Sequence, residues 1–132
     1  MAGAFEIDYQ SDRGFVTAGE DLSTAGKQYL AVALNSDLEV LASALSAKDP
    51  IFGILQNAPL EGVSASVRVD GVSFCIAGAG DIAVGDALVT DGDGKLVTAS
   101  TGPAHVVGIC VAAAAADNIG SVDLSFKKYI PA

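Results

Sequence analysis

The chain repeats itself, and a repeated unit limits its possible folds more than any single motif does. Ile51-Phe52-Gly53-Ile54-Leu55 returns as Val106-Val107-Gly108-Ile109-Cys110, and Val67-Arg68-Val69 returns at the same spacing as Val122-Asp123-Leu124. Upstream, Asp21-Leu22-Ser23-Thr24-Ala25-Gly26 is matched by Asp81-Ile82-Ala83-Val84-Gly85, and Leu38-Glu39-Val40-Leu41-Ala42 by Lys95-Leu96-Val97-Thr98-Ala99. Self-similarity of this kind marks one supersecondary unit used twice. The spacing predicts two similar halves, about residues 19–70 and 78–127, inside one β-rich domain of residues 15–132. Residues 1–14 precede it as an extended N-terminal arm.

Within each half the apolar period is two, the signature of strands with one buried face. Val63, Ala65, Val67 and Val69 alternate with Ser64, Ser66 and Arg68. Val122, Leu124 and Phe126 alternate with Ser121, Asp123 and Ser125. Tyr29 to Leu34 ends at the turn cluster Asn35-Ser36-Asp37, and Leu38 to Ala42 follows. Asp91-Gly92-Asp93-Gly94 separates Ala87–Thr90 from Lys95–Thr98, and Asp-Gly supplies the positive φ of a tight hairpin. Val72 to Ala77 is a further strand after Asp70-Gly71. Two stretches also satisfy helical rules: Leu38 to Lys48 by spacing, and the alanine run Val111 to Asp117 by propensity. The counterpart of the alanine run contains Pro59, so a loop or a single turn is expected there. The prediction is an all-β fold, a small antiparallel β-barrel or sandwich-like domain with under about a fifth helix.

Hydrophobic residues make up 51% of the chain but aromatics only 6%. Such a core is thin, and a homo-oligomer would bury more of it. The formal net charge is −9, with 16 acidic residues against 7 basic ones. That surface is poor at holding phosphates, so nucleic acid is not expected as a partner. No apolar run is long enough to span a membrane, and Met1 to Glu6 lacks the basic and apolar regions of a signal peptide. The chain is therefore expected to act where it is made, or in an assembly formed there, without a membrane.

The residues that could carry chemistry read more simply as structure. His105, the only histidine, falls in a predicted linker. Asp91-Gly92-Asp93-Gly94 lacks the third ligand and the glutamate of a calcium loop. Gly78-Ala79-Gly80 lacks the third glycine of a dinucleotide fingerprint and fits a corner between the halves. Glu20, Asp21 and Asp81 occupy equivalent places and are expected to accept main-chain N–H groups in turns. Cys75 and Cys110 are too few for a structural zinc site. They read as two buried free thiols, with a Cys75–Cys110 disulfide left open. No catalytic residue, metal site or cofactor is expected, and the chain is not read as an enzyme.

What remains to be explained is at the ends. Phe5, Ile7 and Tyr9 alternate along the arm, Phe15 stands where the arm meets the domain, and Tyr129 and Ile130 lie in a short tail. Apolar residues on terminal segments either pack on the domain or bind something. All six are candidates for contact with another subunit.

The order of motifs resembles a family of bacteriophage proteins, the capsid cement or decoration proteins. It runs from Gly19-Glu20-Asp21-Leu22-Ser23 through Leu34-Asn35-Ser36-Asp37 and Pro50-Ile51-Phe52-Gly53-Ile54-Leu55-Gln56-Asn57-Ala58-Pro59. It continues from Gly78-Ala79-Gly80-Asp81 to Asp91-Gly92-Asp93-Gly94-Lys95 and Val107-Gly108-Ile109. Where that family has Gly-Glu before the strand starting at Val63, this chain has Glu61-Gly62. The resemblance implies a β-rich domain on the outer surface of the virion, often trimeric at three-fold positions, clamping neighbouring subunits of the major capsid protein. The second reading is a small-molecule or glycan-binding β-clip-like module, since Asp81 to Leu88 is also similar to a β-clip corner. The absence of Trp and the presence of only 3 Tyr argue against it.

Overall fold

The computed structural model describes residues 12–100 and 102–131. Among them there is no α-helix. The first five strands are β1 (Asp12–Ala18), β2 (Ala31–Leu34), β3 (Glu39–Leu41), β4 (Gly53–Leu55) and β5 (Ser64–Arg68). They close into a barrel in the order β1-β3-β2-β4-β5. β5 returns antiparallel to β1, from Asp12↔Arg68 to Thr17↔Ser64, and β1 meets β3 in parallel at Thr17↔Glu39 and Ala18↔Val40. Closure leaves no unpaired sheet edge to attract a foreign strand.

The chain continues through β6 (Val72–Ile76), β7 (Ala87–Thr90), β8 (Leu96–Thr98), β9 (Ala104–Val106), β10 (Gly108–Ala112) and β11 (Ile119–Asp123). A 3-10 turn at Leu124–Phe126 and β12 (Lys128–Ile130) follow. Five of these strands form a second sheet in the order β6-β11-β10-β7-β8, while β9 and β12 pair as a separate ribbon. Read round the barrel as β1-β5-β4-β2-β3, the first five strands have the same order as the second sheet. The second ring is joined between β6 and β8 only by a parallel bridge, Ala77↔Leu96.

The difference in closure has a visible cause. In the barrel, Thr17 N–H donates to Leu38 O and Gly19 N–H to Val40 O. In the second sheet Gly78 N–H donates to Leu96 O, but the Gly94 carbonyl, standing where Leu38 stands in the barrel, accepts from Ala31 N–H at 2.7 Å. The barrel thus enters the seam of the second ring. Ala31 and Ile54 of the barrel lie in one core with Cys75, Ile82, Leu88, Leu96, Val107, Cys110 and Val122. Ile76 of β6 in turn packs with the barrel interior of Val16, Leu22, Val32, Val40, Leu55 and Val67. Each fully buried Val, Leu or Ile stabilises the fold by roughly 1.5–3 kcal/mol relative to exposure.

The two hairpins share a chemistry the sequence announces. Asn35 Oδ1 accepts from the N–H groups of Asp37 and Glu39, and Asp91 Oδ1 accepts from those of Asp93 and Lys95. The fourth residue of each turn is left-handed: Leu38 at φ 60 and Gly94 at φ 84. Leu38 therefore belongs to the turn, and Glu39 rather than Leu38 stands in the place of Lys95. The sequence match between these strands is displaced by one residue. Likewise β2 starts at Ala31 because Tyr29 sits at φ 75.

Three other expectations change. The Leu38 to Lys48 stretch is β3 followed by turns, not a helix. The Val122/Leu124/Phe126 alternation stops at Asp123, whose side chain accepts from Ser125 N–H and turns the chain into the 3-10 segment. Leu124 is buried there and Phe126 is exposed. His105 lies in β9, not in a linker, and its N–H donates to Ala47 O at 2.6 Å.

Candidate contact surface

Closing a ring of short strands puts alternate side chains outside, and on this molecule several of them are large and apolar. Phe15 projects from β1 with 62% of its surface exposed. Its ring meets Phe52 edge-on, at 6.3 Å between centroids and 75° between planes. Phe52 lies just before β4 and is fixed by its N–H on Val32 O. Leu34, Pro50 and Ile51 join Phe52 around a shallow depression. Pro50 and Ile51 also form one wall of a groove of about 270 Å³, whose other wall carries His105, Lys127, Lys128 and Tyr129.

The far wall is the β9–β12 ribbon. Tyr129 stands directly opposite His105, with ring centroids 4.6 Å apart. Lys127 anchors the wall to the barrel rim, its ammonium donating to the carbonyls of Val69 at 2.9 Å and Phe52 at 3.4 Å. A continuous strip therefore runs from Phe15 through Phe52, Pro50 and Ile51 to His105 and Tyr129, with Lys127 and Lys128 beside it. Those two lysines are conspicuous on a chain of net charge −9.

Of the six candidates named from the sequence, the structure brings Phe15 and Tyr129 onto this strip. Ile130 turns the other way and packs half-buried with Val89, Ala104 and Val106. Phe5, Ile7 and Tyr9 lie outside the described residues. Phe52 was missed as a surface residue, although the repeat held a signal. Its counterpart Val107 is 1% exposed, whereas the larger Phe52 is only half-buried, packed against the barrel interior, at the same backbone position. A second exposed apolar group, Val72, Phe74 and Ile119, lies on the outer side of β6 and β11.

The polar residues serve the turns. Glu20 accepts from the N–H groups of Ala42 and Ser43 and from the Ser43 hydroxyl. Burial pushes its carboxyl up, but these hydrogen bonds outweigh burial and hold it below the usual range. Asp21 accepts from Ser23 N–H and hydroxyl, and Asp81 from Ala116 N–H. Gly78 packs against Val97 and Asp91, where a Cβ would come within 2.6 Å of Val97 Cγ1. No group of three or more His, Cys, Asp or Glu among the described residues is placed to hold a metal ion. Cys75 and Cys110 are free and buried, so the disulfide alternative falls away.

Fold and surface together describe an all-β module built on a closed barrel, with exposed apolar side chains on its outside. The family model described as phage cement protein matches residues 11–124, a stretch that takes in the barrel and the whole second sheet. The chain belongs to the phage cement protein family. No curated protein matches it.

Proposed function

We propose that the chain binds the outer surface of a phage head and stabilises contacts between neighbouring major capsid subunits, acting as a homotrimer. The observation that carries this reading is the family match from residue 11 to residue 124. The exposed strip from Phe15 to Tyr129 supports it, because a cement protein works through contact rather than through a catalytic site. The contact set comprises Phe15 and Tyr129 together with Phe5, Ile7 and Tyr9 of the arm. The chain is built from two copies of one unit, a reading supported by the shared strand order and by the paired hairpins of Asn35 and Asp91.

Co-sedimentation of the purified chain with heads lacking it tests the proposal, with free sugars and nucleotides as competitors. Saturable binding that raises the temperature at which heads release DNA is the expected result. Binding to a glycan with none to heads would replace this reading with the β-clip-like one. Deleting residues 1–11 should leave a folded domain and weaken head binding by more than about tenfold, as loss of two or three buried anchors does.

A further inference from the structure

We propose that the groove between Pro50–Ile51 and the β9–β12 ribbon receives the N-terminal segment, residues 1–11, of a second copy of this chain. The inference rests on the homotrimer part of the reading above and names the surfaces that would build it.

The ribbon offers an open strand edge. His105 N–H points away from β12, to Ala47 O. The His105–Tyr129 pair is thus of the non-hydrogen-bonded kind, in which side chains approach closely and main-chain groups face outward. Tyr129 accordingly turns its own N–H and C=O to the side of β12 away from β9. No strand pairs with β12 on that side among the described residues. An extended segment laid along the ribbon face that carries the His105 and Tyr129 rings can fill the groove with its alternate side chains.

The N-terminal segment has the matching pattern. Phe5, Ile7 and Tyr9 alternate with Glu6, Asp8 and Gln10. In an extended strand, one face is apolar and the other acidic. The groove offers Pro50, Ile51 and Tyr129 to the first face and Lys128 and His105 near the second. Two chains of net charge −9 repel each other, and an acidic segment laid beside lysines is a contact that offsets this.

Reach and symmetry favour a neighbour. Residues 1–11 span at most about 40 Å when extended. A domain of this length has a radius of gyration of about 14 Å, so the segment can cross to an adjacent molecule. The segment and the groove are different patches of one chain. Contacts between them run head to tail and make a ring if the rotation closes.

The test links the two patches. A chain carrying Ile7→Cys and Lys128→Cys is treated with a short bismaleimide; the native thiols are buried and slow to react. Covalent dimers and trimers on a denaturing gel are expected. A link confined to single chains, or no link, overturns the proposal. In a second arm, a chain lacking residues 1–11 and a Tyr129→Ala chain are sized alone and mixed. Each alone should be monomeric with a near-native melting curve, and the mixture should give a one-to-one dimer. Oligomers that survive in either chain alone overturn the proposal. Head binding is read separately: loss of head binding with intact self-association removes the cement reading and leaves this one standing.

Discussion

Tyr29 of the barrel meets Phe74 of the second sheet edge-to-face, with 5.3 Å between ring centroids and 69° between planes. The contact bridges the seam, and Tyr29 holds a left-handed backbone, φ 75, to make it. In the second sheet the matching place is Gly85, at φ 94: Tyr29 N–H donates to Leu55 O, and Gly85 N–H donates to Cys110 O. An L-residue in this conformation costs about 1–2 kcal/mol that glycine does not. Tyr29→Ala should therefore lower the melting temperature, because it loses the ring and keeps the strained backbone. Tyr29→Gly should recover about 1 kcal/mol of that loss. Denaturant melts of the two variants read the difference, and equal stabilities would show that the backbone at this position is not strained.

Gly53 and Gly108 fill the same role in the two sheets. A Cβ at Gly53 would lie 2.2 Å from Arg68 O and 2.7 Å from Val67 Cγ1. At Gly108 it would lie 2.3 Å from Asp123 O and 2.7 Å from Val122 Cγ2. The obstacle is main chain, which cannot rotate away. Gly53→Ala and Gly108→Ala should each destabilise by about 1–3 kcal/mol or more, as overpacking does. Gly80→Ala, with nothing within 4 Å, should fall within about 0.5 kcal/mol of the parent. Comparable stability of all three variants would contradict this account.

Acid should weaken the fold in part through Glu20. Its folded value is depressed, so its contribution is present above the ordinary value of 4.5 and is lost as pH falls through the folded value. Asp21, fully exposed, is lowered by the Ser23 hydroxyl and then by Ser23 N–H, and it acts in the same direction. In Glu20→Gln, melting temperature should be lower than the parent's at neutral pH and should fall less steeply below pH 4.5. A parallel pair of pH–melting curves would show that the carboxylate is not responsible.

Much of this fold is legible in the sequence where the chemistry is local. The turn residues Asn35 and Asp91, the glycines at 53 and 108, and the alternation of Ala65 and Val67 each act through near neighbours. What is not legible depends on the join between the two sheets. Leu38 reads as the first residue of a strand because it is apolar, yet the Asn35 cap places it in a turn. Tyr29 reads as a strand residue by propensity and instead reaches across to Phe74. Ile130 reads as an exposed tail residue and is half-buried against Val89 and Val106, because β12 pairs with β9, a strand with no counterpart strand in the first half. Of the strip from Phe15 to Tyr129, its two ends stand out by composition. Their connection through Phe52, Pro50 and Ile51 depends on tertiary placement.

The two thiols should be silent in the folded protein. Burial, and then the neighbouring Cys110, pushes Cys75 up to about 12. Burial also raises Cys110, whose thiol donates to Ala112 O at 3.3 Å. The thiolate is the reactive form, so at pH 8 neither should react quickly with a disulfide reagent. Both should react once denaturant opens the fold. Rapid modification of either thiol in native protein would mean that the second sheet opens readily at its seam.

Phe15 separates contact from stability. Phe15 keeps 62% of its surface exposed and its ring meets Phe52 edge-on, so truncation removes little buried surface. Phe15→Ala should keep the melting temperature close to the parent's, within about 1 kcal/mol in stability terms. If the strip is where another subunit sits, the same change removes an aromatic anchor, and affinity for heads should fall at least about tenfold. Val84 is the control, an apolar residue 68% exposed that lies outside the strip. Val84→Ala should alter neither quantity. Equal losses of head binding in both variants would point to a general effect of surface apolarity. A large drop in melting temperature for Phe15→Ala would assign the ring to the barrel's own packing. Only the pattern of retained stability, lost binding and an inert control supports the strip as the working surface.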